Sequence, residues 1–317
     1  MATVIYFVEY LLLRLSLCIL AALPFPLAHR IGEMLGRLVY LIDHRHRLVV
    51  LKNLDIAYGN SLPYEEKLGL ARKSYEHLFK AGIELVFAPR LVNKYNWQDY
   101  FELDNLPELL KMVWAGKGGI YITAHFGIWE LLGCIVPYIG LPVYAIARPI
   151  ENPFVDRYLN KMRQITGQKV IPKKEASSGV MDVLENGGFL SFLVDQNAGT
   201  RGIFVDFFGK PASTTRTVAL LSLKTGVPLI PVYAYRIKGF KFKVVIETPI
   251  YPVDTGNPTA DIESMTQALT KRVERWARMY PAQYLWQHRR WKTRPPWEKP
   301  GMLEVGEKLE TISAASS

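Results

Sequence analysis

Five short apolar runs, at 119–124, 143–147, 189–194, 228–235 and 241–247, alternate with stretches of helical period at 126–136, 153–166, 177–186, 215–225 and 261–279. Apolar runs of that length read as buried strands, and the intervening segments as helices. Strands interleaved with helices bury their apolar surface by laying helices on both faces of a sheet. The expected fold is therefore α/β, a mixed central sheet flanked by helices. Residues 30–92 lack such runs and read as helices. Tyr64–Val86 is the clearest of these, with Glu65 and Glu66 favourably placed at its start. Gly226 follows the helix at 215–225 as a C-cap.

A chain of 317 residues, 49% hydrophobic and 21% charged, is long enough for one large folded domain with an extension. No internal repeat or low-complexity linker divides it. The expected domain covers 29–300, with 301–317 as a flexible tail. The extension is at the N-terminus. Tyr10–Ala28 is almost wholly apolar, with Arg14 its single charge, and has the length of a spanning helix. Arg14, Pro24 and Pro26 argue against a span, and a buried core helix or a secretory signal are the other readings. The signal reading lacks a basic start and a small-x-small cleavage site. Arg30, Arg37, Arg45, Arg47 and Lys52 follow the run, which places this flank on the cytoplasmic side. The expectation is an N-terminal membrane anchor over 1–28 holding the domain on the cytoplasmic face of the inner membrane, whether the helix spans or lies in the interface.

The net charge of +10 implies an anionic partner: nucleic acid, anionic lipid or a phosphorylated substrate. The apolar N-terminal run favours lipid over nucleic acid. The two cysteines, Cys18 and Cys134, give no disulfide framework, and no Cys/His cluster has metal-ligand spacing, so no metal site is expected. Cys134 lies in an apolar helix and reads as core. Gly116-Lys-Gly-Gly119 precedes a strand and is not a phosphate loop; no G-x-S-x-G elbow occurs.

The chemistry centres on His125 and Glu130, in His125-Phe-Gly-Ile-Trp-Glu130. The strand 119–124 ends just before His125, and that sheet edge is where α/β folds bind ligands. A neutral imidazole takes a proton from a hydroxyl near neutral pH, and a carboxylate on its far nitrogen fixes the tautomer. The pair reads as a general base with its orienting partner, or as two residues that cap a helix. Arg148 closes the strand 143–147, and Arg163 lies on the helix 153–166. Both reach the same edge as phosphate binders or as ordinary ion-paired arginines. Asp195 and Gln196 end the strand 189–194, for substrate hydrogen bonds or as a turn. Ser213, Thr214 and Thr215 are candidate caps of the next helix, whose start is a possible anion site. Between Pro281 and Trp297, aromatics interleave with cations that include Arg289 and Arg290. This suits a membrane interface or an anionic lipid headgroup.

Taken together, Arg45-x-Arg47…Asn53-Leu54, His125-Phe-Gly-Ile-Trp-Glu130, Arg148-Pro149, Val194-Asp195-Gln196, Phe207-Phe208-Gly209 with Thr214 or Thr215, Val227-Pro-Leu-Ile-Pro231 and Pro281-x-x-Tyr284-Leu-Trp-x-His288-Arg289-Arg290-Trp-Lys resemble the bacterial lipid A biosynthesis acyltransferases. These are the late lauroyl/myristoyl transferases of the lysophospholipid acyltransferase superfamily. The resemblance runs from about residue 45 to 296, and its C-terminal piece is the most specific. It implies a seven-stranded acyltransferase domain like that of the glycerolipid enzymes, behind a membrane helix. It implies His125 as base with Glu130 as partner, and Arg163 and Asp195 as further residues needed for activity. The donor it implies is an acyl carrier protein thioester and the acceptor an anionic glycolipid hydroxyl, with no cofactor beyond the thioester co-substrate. Glycerolipid acyltransferases usually have aspartate at the position of Glu130, and a Phe-Pro-Glu-Gly-Thr-Arg block absent here. Acyltransferases of mannosylated phosphatidylinositol share the glutamate. A thioesterase and a non-catalytic lipid-binding protein are the readings from outside the transferases.

Overall fold

A computed structural model describes residues 2–298, apart from 142, 148, 149, 166 and 173–175. Arg148, and the tail expected over 301–317, lie outside the described residues. Four helices come first: α1 (Ala2–Ala22), α2 (Phe25–Ile42), α3 (His44–Tyr58) and α4 (Tyr64–Leu91). The apolar helix begins well before Tyr10, because Val4, Ile5, Phe7 and Val8 already suit it, and it stops at Ala22. Pro24 and Pro26 then start a new helix instead of extending the old one, since proline fits a first turn and breaks an interior one. Residues 25–28 thus form the first turn of α2. The window Thr3–Ala22 has a mean hydropathy of 2.0 and none of it is buried within the protein. The Arg90 guanidinium closes the end of α1 by donating to the Ala21 carbonyl at 2.6 Å. Gly36 lets α2 lie on α4, since a Cβ there would stand 2.7 Å from the Glu76 Cα.

The rest alternates as β1 (Phe101–Asp104), α5 (Leu106–Trp114), β2 (Gly119–Thr123), α6 (Trp129–Ile135), β3 (Tyr144–Ala147), α7 (Pro153–Ile165), β4 (Lys169–Pro172), α8 (Ala176–Glu185), β5 (Phe189–Leu193), β6 (Ile203–Phe207), β7 (Lys210–Thr214), α9 (Thr217–Thr225), β8 (Leu229–Lys238), β9 (Lys241–Ile246) and α10 (Pro258–Met279). The mixed sheet expected from the sequence has seven strands in the order β1-β9-β8-β2-β5-β3-β4, with β6 and β7 as a separate antiparallel hairpin. Within the seven-stranded sheet, among the described residues, only the β8–β9 pair is antiparallel. Side chains alternate between faces with the strand period of two. Ile120, Ile122 and Leu190 join Val50, Leu54 and Leu269 in a core on one face. Tyr121, Phe189 and Val232 join Ile83, Phe87 and Leu131 in a core on the other. The second face carries the site.

The hairpin corrects the expectation for 213–215. Phe208 and Gly209 turn it with positive φ at both residues, as a two-residue hairpin loop requires. Ser213 and Thr214 therefore lie in β7, and α9 starts only at Thr217. The Ser213 hydroxyl donates to the Gly199 carbonyl, and the Thr215 Oγ1 accepts from the Thr217 amide at 3.3 Å.

Candidate active site

His125 leaves the carboxyl end of β2 beside the end of β5, its parallel neighbour. That adjacency puts Asp195 against it. Asp195 Oδ2 accepts from the His125 backbone amide at 2.9 Å, and Oδ1 meets ring Nδ1 at 2.8 Å. One buried carboxylate thus fixes both the loop and the ring. Burial pushes the Asp195 pKa up, but the His125 ring and amide outweigh it and hold it below the usual range. For His125, burial pushes the pKa down, while the Asp195 charge and hydrogen bond, with a smaller contribution from Glu130, carry it above its ordinary value. A proton held on Nδ1 by Asp195 leaves Nε2 as the basic nitrogen. There the Gln196 amide lies at 3.2 Å, a contact an incoming hydroxyl would replace.

The sequence reading gave the orienting role to Glu130, and the geometry gives it to Asp195. The segment 126–128 is not helical: α6 begins at Trp129. The five-residue spacing is therefore not one turn of helix. Gly127 takes φ +59°, and its amide donates to the Gln283 carbonyl at 2.7 Å. A Cβ at this position would collide with the Ala234 carbonyl at 1.8 Å. The detour turns Glu130 toward α7, where its carboxylate meets Arg163 Nη2 at 3.2 and 3.3 Å. Glu130, Arg163 and Gln196 line one pocket with His125 and Trp129.

That pocket continues as a cavity of about 430 Å³ across the sheet face. It runs beneath α5 and α6 and ends at Leu103, Leu109 and Ile246. Its lining is mainly apolar. Two hydroxyls in it, Tyr121 OH and Thr123 Oγ1, are buried without a hydrogen-bond partner. A buried polar atom left unpaired costs on the order of 1–3 kcal/mol, so each of these hydroxyls is open to a hydrogen bond from whatever fills the cavity. Thr123 precedes His125 by two residues, and strand alternation alone places both on one face.

Arg289 and Arg290 are not brought to the pocket. Arg290 is 2% exposed. Its guanidinium donates to the Ser213 carbonyl and Thr214 Oγ1 and stacks over the Phe207 ring. Arg289 is exposed elsewhere. Tyr284, Trp286 and Trp291 are core residues too, against the expected membrane-facing segment; Trp297 alone among them, 70% exposed, faces outward. Aromatics and cations interleave here because the arginine needs a buried cradle. The segment braces the site from behind. Leu285 donates its amide to the His125 carbonyl, and His288 Nε2 accepts from the Asn197 amide at 2.7 Å.

Sequence reasoning missed a second support. His77 on α4 meets the Gly127 carbonyl at 2.9 Å through Nε2. Its Nδ1 meets Arg236, which forks onto the fully buried Glu84. Burial first, then the Arg236 charge, drives the His77 pKa well below normal and keeps the ring neutral. No local pattern signals this group, because its members meet only through the fold.

The family model for bacterial lipid A biosynthesis acyltransferase matches residues 2–293. The chain is 27% identical over 290 residues to the lipid A biosynthesis lauroyltransferase of Escherichia coli (strain K12), covering 88% of this chain and 90% of that one. It is 26% identical over 288 residues to the palmitoleoyltransferase of the same strain, covering 87% and 88%. With the phosphatidylinositol mannoside acyltransferase of Mycolicibacterium smegmatis it shares 25% over 191 residues, covering 59% and 60%.

Proposed function

The chain belongs to the bacterial lipid A biosynthesis acyltransferase family, and on that premise we propose that it moves a fatty acyl chain from an acyl carrier protein thioester to a hydroxyl of a lipid A precursor. It is an acyltransferase. The observation that carries the finer reading is the His125–Asp195 pair at the mouth of an apolar cavity. His125 Nε2 takes the proton of the acceptor hydroxyl, and the oxygen attacks the thioester carbonyl carbon. The C–S bond then breaks, and the departing sulfur receives the proton from His125. Asp195 holds the imidazolium formed in between. Glu130 and Arg163 sit at the rim, where the acceptor enters. The greater coverage of the lipid A relatives favours their acceptor over mannosylated phosphatidylinositol.

The donor chain lies in the cavity, with its carbonyl next to Thr123. The unpaired Thr123 hydroxyl then donates to the oxygen that gains charge. Thr123→Val, which keeps the shape and removes the donor, is expected to lower kcat by about 10²-fold, with serine restoring it. At the far end, Leu109 and Ile246 separate the cavity from a neighbouring one of about 590 Å³ and line both. Leu109→Ala joins the two and is expected to shift preference toward longer acyl chains. Competition among thioesters of mixed length reads this out.

The domain is held at the cytoplasmic face of the inner membrane by α1. The deciding experiment incubates the purified protein with acyl carrier protein thioester and lipid A precursor and weighs the lipid. One added acyl group is expected. Hydrolysis of the donor at full rate without acceptor would make the protein a thioesterase instead.

A further inference from the structure

A further cavity, of about 380 Å³, lies between α1, α4, α6 and α7. Leu13 and Leu17 of α1, Leu85 and Val86 of α4, and Leu159 and Met162 of α7 give it an apolar wall. Its polar end is Glu130 and Arg163, the same two residues that stand at the mouth of the His125 pocket. The two cavities therefore meet at one ion pair.

We propose that this cavity takes one acyl chain of the lipid acceptor, drawn sideways from the bilayer along α1. The inference rests on the acyl-transfer reading above and adds where the acceptor sits. Three observations select this occupant. The first is the wall. α1 borders the cavity with one face and leaves Leu11, Leu12, Leu15 and Ile19 exposed on others. A helix long and apolar enough to cross a membrane brings lipid chains to the cavity's edge. The second is Arg14. A charged residue is costly within a membrane segment and marks function there. Arg14 stacks at 4.5 Å over Tyr158, which lines the cavity, and so offers an anionic headgroup a partner beside the chain's entrance. The third is the direction of the path. A chain lying against α7 with its polar end at Arg163 and Glu130 delivers its hydroxyl to the base. The donor chain meanwhile occupies the separate space under α5 and α6.

The α1–α7 seam fits an entrance at this level. Phe7 and Tyr10 pack on Phe154, and Asn152 donates to the Tyr6 carbonyl and to Glu9. These contacts clasp the first half of α1 and leave the Leu13–Leu17 level unfilled.

Gly82 supplies the test. It lines the cavity on α4, and a Cβ there meets no atom within 4 Å. The Cβ of Gly82→Phe thus meets no clash and its ring projects from the cavity wall, and replacing a glycine inside a helix favours the helix. The variant is expected to raise the KM for lipid A precursor at least tenfold and to leave the KM for the acyl thioester unchanged. Cys134 also lines the cavity and gives a readout that needs no turnover. In full-length protein carrying Cys18→Ser, reconstituted in phosphatidylethanolamine–phosphatidylglycerol vesicles, added lipid A precursor should slow alkylation of Cys134 by N-ethylmaleimide. Gly82→Phe should remove that dependence.

Protection by the acyl thioester in place of the precursor would assign the cavity to the donor and overturn the proposal. Equal protection by the vesicle lipids alone would overturn it as well, as would an unchanged precursor KM in Gly82→Phe. Protection by precursor in a protein that shows no transfer would uphold this cavity and sink the acyl-transfer reading. The two thus fail separately.

Discussion

His125→Ala is expected to lower acyl transfer by about 10⁴-fold, the upper end of what a positioned base supplies, and to leave the path of its loop unchanged. The two halves of this expectation come from different atoms. Nε2, which takes the proton in the proposed mechanism, is lost with the ring. The His125 backbone amide remains, still donating to Asp195 Oδ2, and Leu285 still donates to the His125 carbonyl. The loop keeps its path, so the loss falls on kcat and spares the KM for the thioester. Transfer within tenfold of wild type would remove His125 from the mechanism.

Asp195→Asn is the second large effect, about 10³–10⁴-fold in kcat. An asparagine fills the same volume but presents an amide to Nδ1. That amide can hold the ring in the wrong tautomer and gives the imidazolium no charge to lean on. The pH profile separates this from a packing defect. In wild type the Asp195 charge and hydrogen bond outweigh burial and raise the His125 pKa. Transfer should therefore rise with pH through a value above 6.5, as the ring loses its proton. Without the carboxylate, burial dominates and the pKa falls, so the rising limb moves to lower pH while the plateau drops. A lower plateau with an unmoved limb would mean that Asp195 only packs. Folding follows the same linkage. The part of stability that His125 gains from its partner is complete below its unfolded pKa and is lost as pH rises through the raised folded value.

The strands legible in the sequence are those in the middle of the sheet, where the residues are mainly apolar, and its β8–β9 corner, where a long apolar start to β8 is followed by alternation in β9. The two missed in the sheet, β1 and β4, are its edges. Each has four residues, and Glu102, Asp104 and Lys169 interrupt their apolar pattern. An edge strand has one neighbour and is commonly short and charged, so a reading that looks for apolar runs passes over it. At the site, His125 was legible because it follows a strand end, and Gln196 and Arg163 because they lie at the same sheet edge. The partnership was misassigned for a definite reason. Sequence spacing measures neighbours along the chain, and Asp195 is a neighbour across two parallel strands. Arg290 shows the complementary limit. A charged residue among aromatics reads as surface, and only the closed fold reveals the carbonyl and hydroxyl that let it be buried.

The brace behind the site has a consequence in time. β2, and with it His125, leaves the ribosome long before the segment 283–291 that pins its loop from behind. Domains acquire structure from the N-terminus as synthesis proceeds, so α1 can enter the bilayer and the sheet can begin to form around an imidazole that has no fixed seat. The His125 loop is pinned only when Tyr284 bridges to Phe126 and His288 takes the Asn197 amide. A half-made chain thus carries its apolar helix before it has a seated imidazole, and the site is completed only when the last segment closes behind it.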